Sequence, residues 1–140
     1  MPSLRTTLLA DSVVCFVYGT VLMIAARSLS TLFADEAISV FGYTFEEFLR
    51  ALGLGVVAVG VGVCIIGCTK QILPLAVWLI IGIEAIWTMG SILLLVWAGN
   101  ALSWSGIAFV ILSAMAVLGF MIFELIGLLS LLHDSVENAT

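Results

Sequence analysis

Charge is what this sequence has least of. Four Lys and Arg and nine Asp and Glu occur in 140 residues, so 9% of the chain is charged, where a soluble domain carries about 25%. Such a chain cannot cover a folded surface with groups that water solvates, so a bilayer is its solvent. Four cations also leave no footprint for nucleic acid and no polybasic patch for anionic lipid. Histidine occurs once, as His133 at the end of the last apolar run, which excludes bis-histidine haem ligation within the chain. Cys15, Cys64 and Cys68 stand in apolar stretches with no C-x-x-C spacing. Cys64 and Cys68, four apart on one helix, are poorly placed for a disulfide, and all three read as small packing residues. There is no Ser–His–Asp set, no P-loop, no paired histidines for a metal and no intramembrane lysine for a Schiff base. The sequence therefore leans away from an enzyme, assigns no metal site and names no cofactor.

What is present is apolar: 64% of the residues are hydrophobic and the mean hydropathy is +1.34. The reading is an all-α membrane bundle, one domain over residues 1–140, with transmembrane helices at about 7–29, 45–69, 73–98 and 104–132. The first run follows Arg5, as a signal peptide would. It is long for such a segment, and Met23-Ile24-Ala25 is not an A-x-A site, so a retained helix is expected. Residues 30–44 mix Leu32, Phe33, Ile38, Val40, Phe41 and Tyr43 with Asp35 and Glu36. That mixture suits a short helix or re-entrant piece lying in the interface. Thr44-Phe45-Glu46-Glu47 has the form of a capping box, and Glu46 stands four residues before Arg50, a spacing that suits an ion pair. Pro74 fits a first helical turn, as Pro2 does near the start; Gly99-Asn100 is a stop, and Ser103 is a cap for the fourth helix. Short connections predict that the second, third and fourth helices are successive antiparallel neighbours. Trp97 and Trp104 mark one interface and Trp78 the other. Arg5 and Lys70 fall on one side and Arg27 and Arg50 on the other, so charge gives no inside bias. Both termini are assigned to the cytoplasmic side of a prokaryotic cell membrane, which places the acid-rich first connection outside.

Residues 51–69, ALGLGVVAVGVGVCIIGCT, organise this bundle. At about 100° per residue, Ala51, Gly55, Ala58 and Gly62 line one face, and Gly53, Gly60, Cys64 and Gly67 line the other. Small residues let helix backbones approach closely in lipid. A helix small on both sides is expected to be gripped on both.

Three carboxyls fall inside the spans: Asp11, Glu84 and Glu124. An ionised acid at the bilayer centre costs about 2.5–3.5 kcal/mol on insertion scales, so such residues face the bundle interior or water. From the terminus-side edge the expected depths are roughly 6 Å for Asp11, 12 Å for Glu124 and 18 Å for Glu84. Glu84 shares a face with Thr88 and Ser91, Asp11 with Cys15 and Tyr18, and Glu124 with Ser113 and Gly106. If these faces converge, Tyr18, Glu84, Thr88 and Glu124 make a polar pocket with no Lys or Arg at its depth. Its acids must then be protonated, hydrogen-bonded, hydrated or sharing a cation. Asp11, nearest the edge, is expected to be solvated.

The run Leu52 to Gly67, the short basic turn at Lys70 and the apolar start Ile72-Leu73-Pro74-Leu75-Ala76 resemble the middle of DoxX-like membrane proteins. These are four-helix bacterial and archaeal proteins of this length, some of them associated with sulfur-compound or quinone redox chemistry. The resemblance implies the four-helix architecture and carries over no site residue. Three functional expectations follow. The first is a non-enzymatic subunit or stabiliser of a membrane assembly, with membrane lipids around it and a second copy or another membrane protein as partner, packed through Gly53, Gly55, Gly60, Gly62 and Gly67. The second is a proton- or cation-coupled transporter using Glu84 and Glu124. The third is a binder of a quinone or another lipophilic ligand, which requires an apolar cavity beside Glu84 and Trp87.

Overall fold

The computed structural model describes residues 3–34, 39–40 and 42–137. Its helices are α1 (Leu4–Ile24), α2 (Ala26–Phe33), α3 (Phe45–Cys68), α4 (Pro74–Ala98) and α5 (Trp104–Glu137). Strands β1 (Ser39–Val40) and β2 (Tyr43–Thr44) form a small antiparallel hairpin before α3. Among the described residues, four helices are long and apolar enough to cross a membrane: α1, α3, α4 and α5, the last counted to His133. The chain is an all-α, multi-pass membrane protein. Pro2, Asp35, Glu36, Ile38 and Phe41, weighed above, lie outside the described residues.

Local chemistry sets the helix ends. Thr44 Oγ1 accepts from the Glu47 N–H while Glu47 Oε2 accepts from the Thr44 N–H at 2.9 Å, which closes the capping box. Ser103 Oγ accepts from the Gly106 N–H at 3.2 Å and opens α5. Pro74 starts α4, where its missing N–H would have had no helical partner. The first helix differs from expectation at both ends. Ser3 caps it by accepting from the Thr6 N–H, so it begins at Leu4. It also breaks at Ala25, after which α2 starts as a separate amphipathic helix burying Ala26 and Phe33. Arg27, Ser28 and Thr31 stay exposed on α2.

The helices associate as two pairs. In the first, α1 and α3 run antiparallel and touch backbone to backbone. A Cβ at Gly53 would stand 2.7 Å from the Gly19 carbonyl oxygen, and one at Gly19 would stand 2.7 Å from that of Gly53. A Cβ at Gly60 would meet that of Cys15 at 2.9 Å, and one at Gly67 would meet the Leu9 side chain. Glycine every seventh residue thus keeps a seam of α3 against α1, the close approach that small residues permit in lipid. In the second pair, α4 and α5 are joined by the turn at residues 99–103. The expected neighbours α3 and α4 touch little. The seven-residue glycine seam commits α3 to α1, while α4 packs on α5 as the short connection between them predicts. Among the described residues nothing grips the other small face of α3, since a Cβ at Gly55 or Gly62 would meet nothing within 4 Å.

Apolar clusters close both ends between the pairs. Leu4, Leu8, Val63, Val77, Ile80, Ile81 and Leu128 pack together at one end. There the Arg5 guanidinium donates to the carbonyls of Thr69 and Lys70 and ties the start of α1 to the turn after α3. At the other end Leu22, Ala26, Phe33, Phe45, Leu49 and Leu102 pack. Ser103 donates from its N–H to Phe33 O at 2.8 Å and from its hydroxyl to Leu32 O at 2.6 Å, joining α2 to the start of α5.

Candidate functional site

Between these two plugs the pairs bring three acids together. Asp11 comes from α1, Glu84 from α4 and Glu124 from α5, and one carboxylate oxygen of each lies within 4.8 Å of those of the other two. All are buried, Glu124 completely. Helix starts explain the convergence. Counted from the observed ends, Asp11 is seven residues into α1, Glu84 ten into α4, and Glu124 nine before His133, or about 10, 15 and 14 Å. The three-residue extension of α1 at its Ser3 cap therefore carries Asp11 deeper than expected. It is not at a solvated edge but 4% exposed within the cluster.

Asp11 accepts one weak bond, from the Cys15 thiol at 3.7 Å. Among the described residues, neither oxygen of Glu84 and neither of Glu124 has a hydrogen-bond partner, although all four are buried. The four basic residues, Arg5, Arg27, Arg50 and Lys70, are all exposed, Arg50 in its pair with Glu46 at 2.7 Å. At an effective dielectric of about 20, two unit charges 4.8 Å apart repel by roughly 3.5 kcal/mol. Three such pairs come to about 10 kcal/mol, as large as the whole stability of a typical domain. Positive charge must therefore enter the cluster, as protons or as a bound cation. The sequence reading assigned no metal site, yet these oxygens are close enough to share one ion.

A cavity of about 450 Å³ opens directly on the acids. Asp11, Cys15 and Tyr18 of α1, Gly55 and Val59 of α3, Glu84 and Trp87 of α4, and Ser113 and Phe120 of α5 are among its walls. It shares Tyr18, Phe48, Leu52, Trp87 and Ser113 with a second cavity of about 700 Å³ that reaches Phe33, Phe45, Trp97 and Phe109. The two make one cleft along the poorly packed α3–α4 side. Its rim includes Val14, Ile83, Ile86, Leu93 and Val96, exposed apolar residues in the middle and outer turns of their helices. The opening therefore faces sideways, toward lipid. Within it Tyr18 stands edge-on to Trp87, with ring centroids 6.1 Å apart, and stacks on Phe109 at 5.3 Å. Trp87 Nε1 donates to Ser113 Oγ at 3.2 Å. These rings and that bond set the wall above Glu84.

Family profiles, curated proteins and solved structures give no match to the chain. The site is read from its own geometry.

Of the residues singled out in sequence, Asp11, Tyr18, Glu84 and Trp87 line the cleft, and Glu124 backs it as part of the cluster. Thr88 does not join them. Its hydroxyl donates to the Glu84 carbonyl at 3.0 Å, a bond within its own helix, and it stands outside the cavity wall. Gly53, Gly60 and Gly67 hold α1 against α3, whereas Gly55 lines the cleft and Gly62 faces open space. The sequence reading overlooked Phe48, Leu52, Phe109 and Phe120. Leu52, Phe109 and Phe120 stand in apolar runs with no charged neighbour to mark which face is inward, and Phe48, beside Glu47, reads as part of the helix start. Cys15 was placed on the face of Asp11 but read as a packing residue; its thiol donates weakly to that carboxylate.

Proposed function

We propose that this multi-pass membrane protein binds a cation at the Asp11–Glu84–Glu124 cluster, and that proton- or cation-coupled transport is the use to which the site is put. One observation carries the reading: four carboxylate oxygens, on Glu84 and Glu124, are buried without a hydrogen-bond partner and stand beside a third acid. A structural role alone is a poor account of them, because interhelical packing bonds would have satisfied those oxygens, and an apolar pair of similar volume would fill the site at less cost. One oxygen from each acid converges here, three of the six or more that Ca²⁺ or Mg²⁺ takes. The adjoining wall is almost wholly apolar, with Ser113 and Tyr18 its nearest hydroxyl-bearing side chains. That favours a proton or a weakly hydrated monovalent cation. The location proposed is a prokaryotic cell membrane with both termini cytoplasmic.

The test is reconstitution. In proteoliposomes, Glu84→Gln is expected to abolish pH-dependent cation flux or binding while far-UV circular dichroism and monodisperse elution stay unchanged. A variant that keeps flux and binding, or that loses only stability, rejects the reading.

A second reading, a subunit of a larger membrane assembly, has its own support in the unfilled face at Ala51, Gly55, Ala58 and Gly62. Gly62→Leu would then weaken association in detergent crosslinking without unfolding the chain.

A further inference from the structure

We infer that the cation is the charged head of an amphiphile: a long-chain monovalent ammonium whose head sits at Glu84 and whose apolar tail lies in the cleft between α3 and α4. The inference rests on the cation-binding reading above and adds the class of ligand.

Charge and shape point the same way. The acids stand at the blind end of the cleft, sealed on the terminus side by Leu8, Val63, Val77, Ile80, Ile81 and Leu128. Glu84 is nine-tenths buried, lines the cavity and carries two unpartnered oxygens. Away from the acids the lining is apolar and rich in aromatic rings, and from Glu84 to Trp97 it extends thirteen residues along α4, about 20 Å. The cavities, about 450 and 700 Å³, are each of the size that holds a small organic ligand. A small hydrated ion would occupy only the end of this space and leave the rest without an occupant. An anionic amphiphile would add charge to an already overloaded cluster, and a neutral one would leave its compensation to protons alone. A monovalent ammonium offsets one of the three charges and leaves two to protons, and Trp87 and Tyr18 line the same cavity, where an aromatic face beneath a cation adds attraction. The carboxylates accept from N–H groups where the head is a protonated amine, and act by charge alone where it is quaternary.

The experiment uses the full chain in nanodiscs, with Trp78, Trp97 and Trp104 changed to Phe so that Trp87 reports occupancy by its fluorescence. Decylammonium, decyltrimethylammonium, decanol and decanoate are titrated, each corrected for its own partition into empty nanodiscs. Both cations are expected to bind at least tenfold more tightly than the alcohol, with no saturable change from decanoate. Glu84→Gln is expected to lose at least tenfold of the cation affinity. Leu52→Phe, which narrows the waist shared by the two cavities, adds no second tryptophan and leaves the acids in place, is expected to lose decylammonium binding while keeping that of methylammonium. Equal affinity for cation and alcohol overturns the inference, whether or not the Glu84 variant folds, because the headgroup series is read on unmodified acids. Unaltered decylammonium binding by Leu52→Phe also overturns it. If Tl⁺ or protons bind and neither long-chain cation does, the amphiphile is rejected and the cation site stands. If no cation of any kind binds, both readings fall.

Discussion

Replacing Gly53 with alanine tests the two-pair architecture most directly. The new Cβ would stand 2.7 Å from the Gly19 carbonyl oxygen and 2.9 Å from both Leu22 Cβ and Met23 Cγ. Met23 is a flexible, partly exposed side chain and can swing away. The Gly19 carbonyl is backbone, hydrogen-bonded into α1, and can yield only if the whole helix retreats. Ordinary van der Waals contact begins near 3.4 Å, so α1 and α3 must separate locally by about 0.7 Å. Overpacking of this kind costs about 1–3 kcal/mol, against which alanine returns up to about 1 kcal/mol of helix propensity over glycine. Gly62→Ala supplies the reference, because its Cβ meets nothing within 4 Å and only the propensity gain remains. The expected gap between the two variants is therefore about 1–3 kcal/mol. It is read from unfolding in mixed detergent and sodium dodecyl sulfate micelles, followed by circular dichroism and tryptophan fluorescence. Adding Gly19→Ala to Gly53→Ala should cost less than the sum of the two, since a single separation relieves both clashes. A gap under about 0.5 kcal/mol would mean that the backbones do not approach this closely, and the seam argument would be lost.

Two further substitutions separate bonds that matter from bonds that do not. Ser103→Ala removes the cap on Gly106 and the link to Leu32 O. It should cost about 1–2 kcal/mol in the same unfolding assay and should release α2 from the start of α5, seen as faster amide exchange at residues 28–34. Arg50→Ala removes an ion pair whose side chains are 57% and 34% exposed. It should change stability by less than about 0.5 kcal/mol, with no salt dependence left to lose.

The long helices were legible because composition alone demands them, and their ends because caps are local chemistry. Thr44 with Glu47, Ser103 and Pro74 each fix a terminus within three or four residues of chain. Two misreadings have the same cause, a short polar signal inside or beside an apolar run. Ser3, Arg5 and Thr6 look like a tail before a helix that starts at Thr7, but Ser3 is a cap and α1 begins at Leu4. The break at Ala25 carries no Pro or Gly, and its backbone angles of −94° and 10° leave no trace in the residue types. The hairpin turns on Gly42, whose φ of +84° suits glycine, in a segment too short for an alternation pattern. Each acid was visible as an expensive residue, but their meeting was not. Which faces converge depends on how four helices are rotated about their axes, and that is decided by seams such as Gly53–Gly60–Gly67 against α1. The short turn after α3 supported an α3–α4 contact that the structure lacks, because a short connection limits where a helix can go and does not say which face it packs on.

The sideways mouth of the cleft has a consequence for any dose–response curve measured on this protein. An occupant arriving through acyl chains is supplied from its dissolved fraction in the membrane, so each added methylene raises the local supply before any contact with the protein is made. Potencies quoted per litre of buffer will then climb with tail length for every compound, active or not. Only mole fraction in the lipid is a fair abscissa for ranking them.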